Sequence, residues 1–172
     1  MTETTGAERP APAGLARRMA AFFYEGMLLF GVVFTGGYVY SALTQQRHAL
    51  QGQFGLQVFL FCLVGLYFVW FWSHGGQTLA MKAWHIRVLD VQGRPLRPLR
   101  AVMRYLLSWL WFLPALLSVY LLGVHGTGPI FGSLAGGVVA YAGLSWLHPR
   151  RQFFHDALCG TELVTQLPRK KP

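Results

Sequence analysis

The sequence predicts an all-α membrane protein of about four transmembrane helices, both termini cytoplasmic, with a short interfacial helix and a small β-hairpin in the central cytoplasmic loop. Three observations carry this expectation: four long apolar runs, a composition shifted toward lipid, and cations gathered on one side of those runs. Of the 172 residues, 53% are hydrophobic, 15% aromatic and 12% charged, whereas roughly a quarter of a soluble domain is charged. That length accommodates one domain, by the usual prior of about 100–200 residues each.

Met1 to Gly14, rich in Ala, Pro, Thr and Glu, is expected to be a disordered leader. Residues 15–165 form the expected membrane domain and 166–172 a basic tail. A helix needs roughly 20 apolar residues to cross about 30 Å of hydrocarbon. The runs at about 19–43, 54–73, 101–123 and 128–147 meet that requirement. Continuous apolarity makes them helices, since a barrel strand would alternate and a lipid-exposed backbone must satisfy its own hydrogen bonds. The first run is too long for a signal-peptide core, and no small-residue cleavage site follows it.

Orientation follows from the cations. Arg9, Arg17 and Arg18 lie in the leader and its edge; Lys82, Arg87, Arg94, Arg97, Arg100 and Arg104 surround the central loop; Arg150, Arg151, Arg169, Lys170 and Lys171 occupy the tail. Of the 15 Lys and Arg, Arg47 alone falls elsewhere. The positive-inside rule places the three groups on the cytoplasmic face of a bacterial inner membrane. The net charge of +9 is thereby a topology signal, and no basic stripe on a polar fold calls for nucleic acid.

Gly75-Gly76-Gln77 ends the second span, and Thr78 to Trp84 has the mixed character of an interfacial helix. Ile86 to Val91, a Gly93 turn and a stub through Leu96 predict the hairpin. In the fourth span Gly132, Gly136 and Ala140, with Ser133 and Gly137 beside them, allow close helix approach, to this chain's own first or third helix or to a second copy. Cys62 and Cys159 are expected to be free thiols. His74, His148 and His155 lack ligand spacing, and no nucleophile arrangement or phosphate loop appears, so no metal, cofactor or enzymatic activity is expected. The expected partners are the bilayer, anionic inner-leaflet lipids and a possible homo-oligomer.

Four segments resemble the RDD family of small bacterial membrane proteins, named for one arginine and two aspartates. They are Arg17-Arg18-Met19-Ala20-Ala21-Phe22-Phe23-Tyr24-Glu25; Gly76-Gln77-Thr78-Leu79-Ala80-Met81-Lys82, followed by Ile86 to Asp90 and Gly93; Arg100-Ala101-Val102-Met103-Arg104-Tyr105-Leu106; and Arg150-Arg151-Gln152-Phe153-Phe154-His155-Asp156-Ala157-Leu158-Cys159-Gly160-Thr161. Glu25 stands where the family has its first aspartate, Ala80 and Met81 replace a glycine and a basic residue, and Cys159 replaces a small apolar residue. The resemblance implies transport, with cation/proton exchange in some members.

Arg18 and Glu25 are two helical turns apart, about 10.5 Å along one face. That places Glu25 inside the hydrocarbon, where an acid costs about 2.5–3.5 kcal/mol at the centre and less toward the edge. It therefore needs a partner or a proton. Arg104, one turn inside the third span, is the expected partner, either as a titratable gate or as a staple fixing helix register. His155 and Asp156 diverge by about 100° on a helix, which argues against a dyad. Asp156 is expected to meet Arg18, Arg151 or the Gln77-Thr78 turn.

Arg18, Glu25, Gln77, Arg104 and Asp156 are the expected lining of a substrate or ion pathway, and Arg87, Arg94, Arg97 and Arg100 an expected surface for lipid or a partner. Two functions fit: a small transporter or cation/proton-exchange component, or a non-enzymatic adaptor or assembly factor recruiting a cytoplasmic partner or anionic lipid.

Overall fold

A computed structural model describes residues 10–44, 53–123 and 125–166. Residues 1–9 of the expected leader, the loop holding Arg47 and nearly all of the expected tail lie outside the described residues. Four helical spans are long and apolar enough to cross a membrane. The first is α1 (Leu15–Thr44) and the second α2 (Gln53–His74). The third joins α4 (Pro98–Ser108) to α5 (Leu113–Leu121) through a 3₁₀ turn at Trp109–Trp111. The fourth is α6 (Thr127–Leu144), tightened at its end into a 3₁₀ turn at Ser145–Leu147. The third span, expected at about 101–123, thus changes pitch midway. Pro114 has no N–H to bond the residue four back, and the chain changes pitch just before it.

The packed core sits at one end of these helices. Phe30, Phe34, Tyr38 and Leu43, on the later half of α1, are 73%, 68%, 72% and 80% exposed, as lipid-facing side chains should be. By contrast Ala21, Trp72, Met81, Ile86, Val88, Ala101, Tyr105, Trp111, Tyr141, Phe153 and Leu163 form one buried cluster. Its members come from the spans and from a cap built of α3 (Leu79–Ala83), β1 (Ile86–Asp90), α7 (Phe154–Cys159) and β2 (Thr161–Thr165). Lipid is as apolar as leucine, so it supplies little drive for helices to associate; close packing and polar contacts must do so.

The expected hairpin within the central loop does not form. Ile86–Asp90 pairs instead with β2, antiparallel, with Ile86 opposite Thr165 and Asp90 opposite Thr161. The chain turns back only as far as Arg94, where Asp90 Oδ1 accepts from the backbone N–H groups of Gln92 at 2.9 Å and Arg94 at 2.8 Å and the Asp90 N–H donates to the Arg94 carbonyl at 2.9 Å, before it leaves for α4. The free edge of β2 is occupied by the end of the expected leader, where the N–H of Ala13 donates to the Leu163 carbonyl at 2.9 Å and that of Thr165 to the Ala11 carbonyl at 2.9 Å.

Two glycines are required where elements touch. Gly76 has φ +68°, and a Cβ there would lie 2.6 Å from the Val88 carbonyl oxygen, so the turn after α2 can seat directly on β1. A Cβ on Gly137 would lie 2.6 Å from that of Ala115, so α6 packs on the third span through Gly137, beside the expected Gly132-Gly136-Ala140 stripe, whose three members are exposed. Gly132 and Gly136 meet nothing within 4 Å.

Candidate functional site

Beneath the two-stranded cap, side chains that the apolar segments carry singly converge into a buried polar cluster. Arg18 and Glu25 come from α1, Thr78 from the start of α3, Arg104 from α4, and His155 and Asp156 from α7. All are at most 7% exposed, and Thr78 and Asp156 are fully buried. Burial at this level demands a partner for each charge.

The expected pair of Glu25 with Arg104 is not formed. Glu25 Oε1 accepts from the Tyr67 hydroxyl at 2.6 Å, and its Oε2 accepts a short hydrogen bond from the Thr78 hydroxyl. Thr78 also caps α3, its Oγ1 accepting from the Met81 N–H at 3.2 Å. One hydroxyl therefore both starts α3 and holds it to α1. The reason for the difference is packing: α1 lies on α2 and α3, whereas α4 lies on α2 and α7.

Arg104 accordingly meets Asp156. Its Nε donates to Asp156 Oδ1 at 2.7 Å, and its guanidinium carbon lies 4.0 Å above the Trp72 ring. Thr161, the first residue of β2, adds a donor to the same Oδ1 at 3.2 Å. Asp156 was expected beside Arg18, Arg151 or the Gln77-Thr78 turn; its direct partners are Arg104 and Thr161 instead. Burial pushes its carboxyl up most strongly, but the Arg104 charge, His155 and the hydrogen bonds from Arg104 and Thr161 together outweigh it and hold the carboxyl below the usual carboxylate range.

His155 lies close to Asp156 despite being its neighbour in sequence, with Nε2 at 3.5 Å from Oδ1. The Tyr141 hydroxyl accepts from the His155 backbone N–H at 3.0 Å and faces its Nδ1 at 3.0 Å. A hydroxyl that accepts the backbone proton can donate its own to Nδ1, which leaves the ring hydrogen on Nε2, toward Asp156. Burial pushes this imidazole down to about 4, overriding the opposing pull of Asp156.

Arg18 is different from its neighbours. Its guanidinium carbon stands 4.3 Å over the Phe153 ring, but its Nε and Nη1 meet no hydrogen-bond partner among the described residues. Beside it opens a cavity of about 360 Å³ lined by Glu25, Trp72, Tyr105, Trp109, Trp111 and Phe153, among others. The lining is almost wholly apolar apart from Arg18, Glu25, Arg104, Ser108 and His155. Among the described residues no cluster of three or more His, Cys, Asp or Glu can hold a metal ion.

Gln77 stands apart from this cluster, its amide donating to the Ile86 carbonyl at 2.7 Å and tying the turn to β1. Of the arginines expected to form a binding surface, Arg94 and Arg100 reach Asp90 at 3.1 and 3.5 Å, Arg97 is exposed and Arg87 is half-buried. A single aromatic in an apolar run carries no local mark of a polar role, so the polar contacts of Tyr67, Trp72, Tyr141 and Phe153 are not legible in the sequence. Gln152 did carry a signal, its place beside His155 and Asp156 in the quoted segment: its Oε1 accepts from the Leu163 N–H at 3.0 Å, fixing β2 over the site.

No curated protein and no solved structure matches the chain. The profile of the RDD family does, over residues 12–160, a stretch that contains every residue of the cluster. On that match over most of its length, and with four apolar spans, the chain belongs to the RDD family of membrane proteins.

Proposed function

We propose that this protein is a small transport component of the bacterial cytoplasmic membrane, working as a cation/proton exchanger or part of one, through the charged cluster at the cytoplasmic end of its spans. The distribution of Lys and Arg supports that orientation, with both termini and the cap inside. The observation that carries the reading is an acid and an arginine without an ion-pair partner among the described residues, on one face of α1 and buried beside a cavity between membrane helices. Ionisable groups at that depth are costly, and they are a mark of pathways and proton relays.

In this reading Glu25 is the group that exchanges its proton, steadied by Tyr67 and Thr78, which can donate to its ionised form and reorient when it is protonated. Arg104 and Asp156 hold α4 to α7 and keep the cluster in place. Four spans enclose little space, so a homo-oligomer is part of the proposal.

Purified protein in proteoliposomes with an entrapped pH dye tests it. A cation gradient should drive proton movement in the wild type, and Glu25→Gln should abolish it while the protein remains folded. Absence of flux in the wild type, or undiminished flux in Glu25→Gln, overturns the assignment.

A further inference from the structure

Arg18 is 3% exposed, its Nε and Nη1 lack acceptors among the described residues, and it lines the cavity together with Glu25, Arg104 and His155. A guanidinium so placed is strongly favoured to take up an anion. The rest of the cavity has a different chemistry. Ala21, Phe22, Leu29, Val64, Phe68 and Trp111 make an apolar wall, and about 360 Å³ lies within the usual range of about 300–1,000 Å³ for small-molecule sites. Phe23 and Trp109, which also line it, are 65% and 37% exposed, so the cavity reaches the lipid-facing surface between α1 and the third span.

We infer that this cavity binds an anionic amphiphile, its carboxylate or phosphate headgroup on Arg18 and one acyl chain along the apolar wall. A free inorganic anion would leave that wall empty, and an uncharged chain would leave the guanidinium unpaired. The volume accommodates a single chain rather than the whole of a two-chain lipid. The inference rests on the reading of this cluster as a working site, but it is decided by equilibrium binding, so its failure and a failure of flux are separate results.

Trp72, Trp109 and Trp111 line the cavity and supply the readout. Full-length protein in detergent is titrated with a brominated fatty acid, the corresponding brominated fatty alcohol and a brominated phosphatidylglycerol, with tryptophan quenching recorded. The acid should quench saturably, and the alcohol should bind roughly ten- to hundred-fold more weakly, the weight of a charge-assisted hydrogen bond. Arg18→Gln should erase that difference and Arg18→Lys restore part of it. Saturable quenching by the phosphatidylglycerol at or below the fatty-acid concentration assigns the headgroup to a membrane lipid; weaker quenching assigns it to a free fatty acid. Gly26 lines the cavity, and a Cβ there meets nothing within 4 Å. Gly26→Phe should therefore fill the space and abolish quenching without touching Arg18. Equal binding of acid and alcohol, unchanged binding in either Arg18→Gln or Gly26→Phe, or displacement of the acid by inorganic phosphate overturns the inference.

Discussion

Arg18 and Arg104 are the same side chain in closely matched surroundings, and they end in different states. Each is at most 5% exposed, and each lays its guanidinium on an aromatic ring, Phe153 at 4.3 Å and Trp72 at 4.0 Å. Arg104 has a carboxylate at 2.7 Å; the Nε and Nη1 of Arg18 have none among the described residues. A paired buried charge behaves as a fastener, because removing either partner strands the other in low dielectric. An unpaired one destabilises the protein that carries it unless something outside the chain completes it. The contrast separates the part of the cluster that holds the fold from the part open to a ligand.

Breaking the fastener should have the largest effect. Arg104→Gln leaves Asp156 fully buried without its cation, and thermal unfolding in detergent should report a loss of about 3–5 kcal/mol. Replacing both residues together, as Arg104→Met with Asp156→Leu, should recover most of that loss, since the stranded charge is gone. If the single and double variants unfold alike, the pair is not the fastener described.

Acid tests the same region through His155. Unfolded His155 takes up a proton near 6.5, whereas in the folded protein burial delays this to about 4. Between those values the unfolded chain binds more protons, so folding stability should be intact above about pH 6.5 and fall as pH drops toward about 4. Melting temperatures in detergent should show that decline, and His155→Gln should flatten it. The lowered Asp156 carboxyl acts in the same direction, but only as the pH drops below the usual carboxylate range.

The smallest effect is expected at the unpaired arginine. Arg18→Met loses a stacking contact but also removes a poorly compensated buried charge, and the two nearly cancel, leaving stability within about 1 kcal/mol of the wild type. A loss as large as that of Arg104→Gln would mean that Arg18 is a second fastener and would erase the contrast.

Much of the architecture was legible from residue order. The four spans lie within a few residues of the apolar runs, and the Gly-Gly-Gln stop and the short helix after it are where the pattern puts them. Composition also placed Arg18, Glu25, Arg104 and Asp156 among the residues of interest, since a charge in an apolar segment is conspicuous by itself. Their partners were not legible. Thr78 and Tyr67 are ordinary residues in their own segments, and nothing within Thr161–Thr165 names Ile86–Asp90 as its partner strand.

The sequence alone determined which segments are long and apolar enough to span a membrane, because hydropathy is a property of neighbouring residues and the bilayer is a uniform solvent. Tertiary structure decided who meets whom: Arg104 and Asp156 are 52 positions apart, Glu25 and Thr78 are 53, and β1 finds its partner beyond two further spans. Those contacts depend on which helix faces lie together, and helix faces of nearly even apolarity carry no local instruction for that choice. Close approach at Gly76 and Gly137, together with the pairing of buried charges, selects it.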